Sequence, residues 1–139
     1  MKQQFILFIK YFSVSLLGFF APIYYAFILT TILVFADTVT GVMKAGKTSI
    51  KNISSKKMFA VCPKLSFYFL LIISAHSVQL FVEPQIPFTK LALIGISWIE
   101  VKSIDENFNA LFGFSFVDKV FEGIKSINQI KRHKENEKH

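Results

Sequence analysis

Residues 23–36 form an apolar run broken only by Tyr24, Tyr25, Thr30 and Thr31, and at Asp37 the run gives way to a basic passage. Asp37-Thr38-Val39-Thr40-Gly41-Val42-Met43-Lys44 leads into it. From Lys44 to Lys64 there are six lysines (Lys44, Lys47, Lys51, Lys56, Lys57 and Lys64) and no acid. A second apolar run starts at Leu65. Basic segments flanking apolar spans stay on the cytoplasmic side of a membrane, so this passage orients the chain as well as dividing it into halves.

Composition sharpens the argument. Hydrophobic residues make up 53% of the 139 and charged ones 18%, with a mean hydropathy of +0.48. A soluble domain spreads its charges because each helix needs a polar face. Here they cluster in the central passage and after Asp118, which points to an integral membrane protein. The net charge of +7 includes a single arginine, Arg132, and its lysines flank apolar spans. That pattern suits an anionic lipid leaflet and argues against nucleic acid. Cys62 is the only cysteine, so neither an intrachain disulfide nor a multi-cysteine metal site is possible. The histidines are His76, His133 and His139, two of them in the polar tail. With no nucleophile–base pair and no metal constellation, the sequence indicates no enzyme, no cofactor and no metal.

Four apolar segments are expected, at about residues 5–20, 22–44, 65–82 and 88–104. The first is short for a span, since roughly 20 residues are needed to cross the hydrocarbon core, and Lys10 interrupts it. It crosses with a tilt, with Lys10 snorkelling, or lies flat at the interface. Bulky residues around Ala21 argue against a cleaved signal peptide. Pro22 opens the second helix, and Gly46 is a candidate stop. A basic loop, 45–64, follows, in which Ser54–Lys57 caps a short amphipathic piece re-entering around residues 58–64, where Pro63 either breaks the helix or opens the next one. The third segment contains Ser74 and Ser77, spaced to face a partner helix, and His76, read as an interhelical hydrogen-bonder or interfacial residue. Residues 83–87 are a turn without lysine or arginine, suited to the outer side. Residues 117–130 read as an amphipathic helix, with Val117, Val120, Phe121, Ile124, Ile127 and Ile130 on one side. The tail from Arg132 is charged and expected to be disordered. The domain plan is thus a membrane domain, 1–107, followed by a cytoplasmic helix and tail, 108–139.

Two polar stripes stand out. Asp37, Thr40, Gly41 and Lys44 fall within roughly a 100° arc of one helix, and Glu100, Ser103, Glu106 and Asn107 within roughly 120° of another. Polar residues begin anyway where a span meets water, which suffices for Glu106 and Asn107. Glu100 follows an apolar run, where an acid is costly unless paired or facing water. A glycine on the first stripe allows close helix approach. If loop 45–64 and the tail are both cytoplasmic, segments three and four form a hairpin, and a crossing first segment makes a second one. The stripes then end on the same side. Lys44 pairs with Glu100 or Glu106, and Asp37 bonds Ser103 or Asn107, within one subunit or between subunits. The fold class is therefore all-α: three to four transmembrane or re-entrant helices as two hairpins, plus a C-terminal amphipathic helix.

Asp37-x-x-Thr40-Gly41, Lys44-Ala45, the Ser54-Ser55-Lys56-Lys57 loop and Glu100-x-x-Ser103-x-x-Glu106-Asn107, in this order, resemble the bacteriophage holin family that includes clostridial toxin-secretion holins. The resemblance runs from about Ile32 to the tail. The family's glycine-rich stretch after the serine–lysine loop is replaced by Met58-Phe59-Ala60-Val61-Cys62. The resemblance implies a small bacterial cytoplasmic-membrane protein that forms homo-oligomers and permeabilises the bilayer. An endolysin or exported toxin would be its functional partner, with lysis or secretion as the outcome. The stripe residues carry over as helix-packing and assembly candidates. A small channel or transporter subunit with Asp37 and Glu100 as coupling acids, or a membrane anchor recruiting a partner through residues 108–130, are the competing readings.

Overall fold

The computed structural model describes residues 2–48, 59 and 61–136. Among these there is no strand. Helix α1 (Lys2–Phe20) passes through a 3-10 turn (Ala21–Ile23) into α2 (Tyr24–Thr48). Helices α3 (Val61–Phe81), α4 (Phe88–Phe112) and α5 (Phe116–Asn136) follow. Residues 54–57, expected to cap a re-entering piece, lie outside the described residues.

The expected first hairpin does not form. Pro22 sits in the first turn of the 3-10 segment, where its missing N–H costs nothing. Phe20 and Tyr24, on either side, keep right-handed helical dihedrals. The chain therefore stays helical through Ala21-Pro22 instead of reversing, and α1 does not pack along α2. No residue of α1 is buried; Phe5, Phe8 and Leu17 are all exposed. Lys2–Lys47 counts as one apolar helical stretch of 46 residues. At about 1.5 Å per residue that is about 70 Å, more than twice the roughly 30 Å hydrocarbon core. One crossing cannot use all of it.

The second hairpin does form. Helix α3 ends at Phe81, the chain turns through residues 82–87, and the Thr89 N–H donates to Gln79 Oε1 at 3.1 Å across the turn. Helix α2 runs parallel to α4: Asp37 meets Ser103, and Lys47 Nζ donates to the Leu111 carbonyl. Helix α3 is antiparallel to both, with Tyr68 against Glu100 and Phe27 against Phe69. The three make a bundle whose narrow core is Ile23, Ala26, Val34, Tyr68, Ile72 and Ile96, with Thr30 buried among them. Thr31 donates to the Phe27 carbonyl of its own helix. Thr30 Oγ1 finds no partner.

Outside that core, large apolar side chains face outward along every helix. Exposed apolar surface on this scale belongs in lipid, because a monomer in water rarely shows such patches. Lys2–Lys47 and Val61–Phe81 are the described helices long and apolar enough to cross a membrane. Helix α4 is longer than expected, reaching Phe112, and carries Lys90, Glu100, Lys102, Asp105 and Glu106.

Other boundaries move too. Helix α2 continues past Gly46 to Thr48. Pro63 is the third residue of α3, so Lys64 belongs to that helix and not to the loop. Gly113 closes α4 with φ 80°, and its N–H donates to the Asn109 carbonyl at 2.8 Å. A left-handed cap of this kind is costly for any residue with a Cβ. Helix α5 extends to Asn136, so the backbone expected to be disordered from Arg132 is helical that far. Val120, Phe121, Ile124 and Ile127 stand exposed along it.

Candidate functional site

The polar stripes of α2 and α4 face each other inside one chain, and α3 adds a third wall. Asp37 Oδ1 accepts from Ser103 Oγ at 2.6 Å and from Asn107 Nδ2 at 3.2 Å. Asn107 Nδ2 also lies 3.4 Å from Thr40 Oγ1, and Asn107 Oδ1 accepts from Lys44 Nζ at 3.4 Å. Thr40 additionally donates back to the Asp37 carbonyl at 3.0 Å. Asn107 is thus the hub joining three residues of the α2 stripe.

Glu100 lies one layer deeper, with no solvent exposure. Its cation is Lys64, not Lys44. Lys64 Nζ sits 2.8 Å from Asp37 Oδ2 and 2.7 Å from Glu100 Oε2, bridging the two carboxylates. The Asp37 contact is also a directed hydrogen bond. The Glu100 contact is close but poorly angled for one, so charge holds it. Tyr68 O–H donates to the other Glu100 oxygen at 2.6 Å. The parallel register of α2 and α4 explains the change of partner: it sets Lys44 beside Asn107, about two turns beyond Glu100. Glu106 is exposed.

Gly41 lies under Asn107. A Cβ built there would stand 3.6 Å from Asn107 Nδ2, an ordinary contact. The position is close-packed, yet it does not demand glycine.

Lys64 and Tyr68 were not recognisable as part of either stripe from composition alone. Their signal is the spacing Lys64-x-x-x-Tyr68, which places both on one face of a helix, together with Pro63, which suits a helix's first turn. Ser74 and Ser77 do not bridge helices: Ser77 donates to the Ile73 carbonyl and Ser74 is exposed. His76 is buried, but against Phe19, with ring centroids 5.1 Å apart. Its Nε2 has no hydrogen-bond partner among the described residues, so of the two roles expected, interhelical hydrogen-bonder or interfacial residue, the first is not taken up and the contact is aromatic.

A second polar joint ties α5 to α4. Asp105 Oδ2 accepts from Ser115 Oγ at 2.7 Å, and Oδ1 accepts from the N–H groups of Phe116 at 2.6 Å and Val117 at 3.1 Å. Ser115 Oγ accepts the Asp118 N–H at 3.0 Å. The first-turn donors of α5 are therefore satisfied by a serine cap and by a carboxylate favoured at a helix N-terminus. The pattern Ser115-x-x-Asp118 before an apolar stripe is the sequence signal for this cap.

No group of three or more histidine, cysteine or acidic residues is placed to hold a metal among the described residues. The arrangement is a cross-helix lock: two carboxylates, the Lys64 ammonium, a phenol, a hydroxyl and an amide join the middle of α2 and of α4 to the first two turns of α3. No curated protein matches the chain, and no solved structure does. Residues 12–129 match the bacteriophage holin family, and the chain belongs to that family.

Proposed function

We propose that this holin self-associates in the bacterial cytoplasmic membrane and permeabilises it, releasing an endolysin or another exported protein. The family is one of membrane pore formers, not enzymes. Its match over residues 12–129 is the observation that carries the reading. The basic passage 45–64 and the C-terminal region lie in the cytoplasm, by the rule that lysine-rich flanks stay inside. Helices α2, α3 and α4 are the membrane bundle, and α5 lies along the inner leaflet with its lysines toward anionic lipid. The exposed faces of α1 and of the bundle offer surface to lipid or to another copy. In membranes that choice turns on packing and hydrogen bonding, because lipid tails are as apolar as leucine. Whether lysis or secretion follows depends on the protein released.

The test is inducible expression in a bacterium, recording membrane potential and growth with and without a cytoplasmic endolysin lacking a signal peptide. Abrupt depolarisation, with lysis only when the endolysin is present, is the expected result. Depolarisation without endolysin escape would turn the reading to a small channel, with Asp37 and Glu100 at its conduction path. Unchanged potential at verified membrane expression would turn it to an anchor working through residues 108–130.

A further inference from the structure

An open groove of about 530 Å³ runs along the outer surface between α2 and α4, away from the charge lock. Leu29 forms its α2 side; Lys90, Ile94, Ser97, Trp98 and Val101 form its α4 side. The α4 residues recur at spacings of three and four, so they make one continuous stripe. The accessible wall is apolar, and Lys90, an exposed residue, lines it two residues into α4, where a lysine can lay its alkyl stem along an apolar trough and keep its ammonium in the polar layer. Eleven residues separate Lys90 from Val101, about 17 Å of helix. That matches one leaflet of hydrocarbon, about 15 Å. Lys90 is the only lysine or arginine between Lys64 and Lys102. It forms no ion pair among the described residues. Glu83, the acid of the adjoining turn, faces the Gln85 N–H at 3.4 Å.

Given a membrane setting for the bundle, we infer that this groove binds one anionic phospholipid, its phosphate on Lys90 and one acyl chain along Ile94, Trp98 and Val101. A cation at one end of an apolar trough of leaflet depth is complementary to such a lipid in charge and in length. A zwitterionic headgroup carries its own cation to the same place and is held less well.

Trp98 is the only tryptophan, and it is exposed in the groove. It reports the occupant directly. The full chain is reconstituted in phosphatidylcholine vesicles containing a minor fraction of chain-brominated phosphatidylglycerol or of chain-brominated phosphatidylcholine, and Trp98 quenching is compared. Enrichment of the anionic lipid at Trp98 by about fivefold is expected, the worth of one lysine at an anionic surface. Lys90→Gln should erase the difference and Lys90→Arg should keep it. Equal quenching by both lipids, or a preference that survives Lys90→Gln, overturns the site and leaves the membrane setting intact. Quenching by neither lipid with red-shifted emission overturns the membrane setting as well. Quenching by neither with blue-shifted emission assigns the groove to a second copy of the chain and also overturns the lipid site.

Discussion

Replacing Lys64 by methionine tests the charge lock most directly. The substitution keeps the length and apolar stem of the side chain and removes its charge. Asp37 retains Ser103 and Asn107, and Glu100 retains Tyr68. Two carboxylates then face each other without the ammonium that bridged them at 2.8 and 2.7 Å. Removing one partner of a buried ion pair costs about 3–5 kcal/mol, because the charge left behind has lost its compensation. Lys64 is 32% exposed while Asp37 is 14% and Glu100 0% exposed, which places the cost at the lower end. The expected loss is about 3 kcal/mol. Glu100→Gln alone keeps the Lys64–Asp37 pair and should cost about 1 kcal/mol. The double variant removes one charge of each sign and should recover about 2 kcal/mol relative to Lys64→Met, the signature of direct coupling. The chain supplies its own probe pair for the assay: Trp98 as donor and an acceptor dye on Cys62, the only cysteine and exposed. Energy transfer followed through a titration of phospholipid–detergent micelles with sodium dodecyl sulfate reads separation of α3 from α4, a change that helix content does not register. A Lys64→Met variant within about 1 kcal/mol of the unaltered chain refutes the reasoning. So does a double variant no more stable than Lys64→Met.

Three further perturbations have expected outcomes. Tyr68→Phe removes the donor to a fully buried Glu100 oxygen and should lower stability in the same titration by about 1–3 kcal/mol. Gly41→Ala should be tolerated, because its Cβ meets Asn107 at 3.6 Å. Gly41→Leu should push Asn107 off Asp37 and Thr40 and destabilise by about 1–3 kcal/mol in that titration. Asp105 should tie α5 to α4 through the three donors its carboxylate accepts, the Ser115 hydroxyl and the Phe116 and Val117 N–H groups. Asp105→Asn, which weakens the acceptor of the Phe116 and Val117 N–H groups, should lower the amide-exchange protection factors of those two residues relative to the unaltered chain at the same pH.

The α2 and α4 stripes were legible because helical spacing alone puts Asp37, Thr40, Gly41 and Lys44 on one face and Glu100, Ser103 and Asn107 on another. What periodicity does not carry is register. Asp37 is matched with Ser103 and Asn107 by chemical type, but the sequence offered Lys44 as the cation for Glu100, and only the third helix brings Lys64 there instead. Lys64 was hidden by composition: it is the last of a run of lysines and reads as loop until Pro63 is placed inside the first turn of α3. The missing first hairpin has a different cause. Proline disrupts a helix interior but is tolerated in a first turn, and Ala21-Pro22 fits a chain that reverses as well as one that continues through a 3-10 turn. The Asp105 joint was obscured because an acid near a membrane exit looks like an ordinary solvated one until Ser115 folds back onto it.

Under the proposed function, the lock also constrains how the chain would assemble. Polar stripes in membrane helices suggest residues lining an aqueous lesion, since an acid in lipid must be paired or wet. Here the acids are partnered within one chain: Lys64 contacts both Asp37 and Glu100 and offsets one of their two charges, and Ser103, Asn107 and Tyr68 supply hydrogen bonds. A subunit in this state presents apolar surface to its surroundings along α1 and the outer faces of α2, α3 and α4. It can therefore stay dispersed in lipid at a lower electrostatic cost than a subunit whose acids face the bilayer unpartnered. To border water with the same stripes, α4 must part from α2 or α3, and the cost of parting falls mostly on Glu100, the group with no exposure. Weakening the lock should therefore advance the onset of permeabilisation even as it lowers the stability of the isolated subunit. Lys64→Met and Tyr68→Phe should depolarise cells earlier after induction than the unaltered chain at matched membrane levels. A variant that is destabilised yet later in onset would mean that the closed bundle, and not its opened form, is the assembling unit.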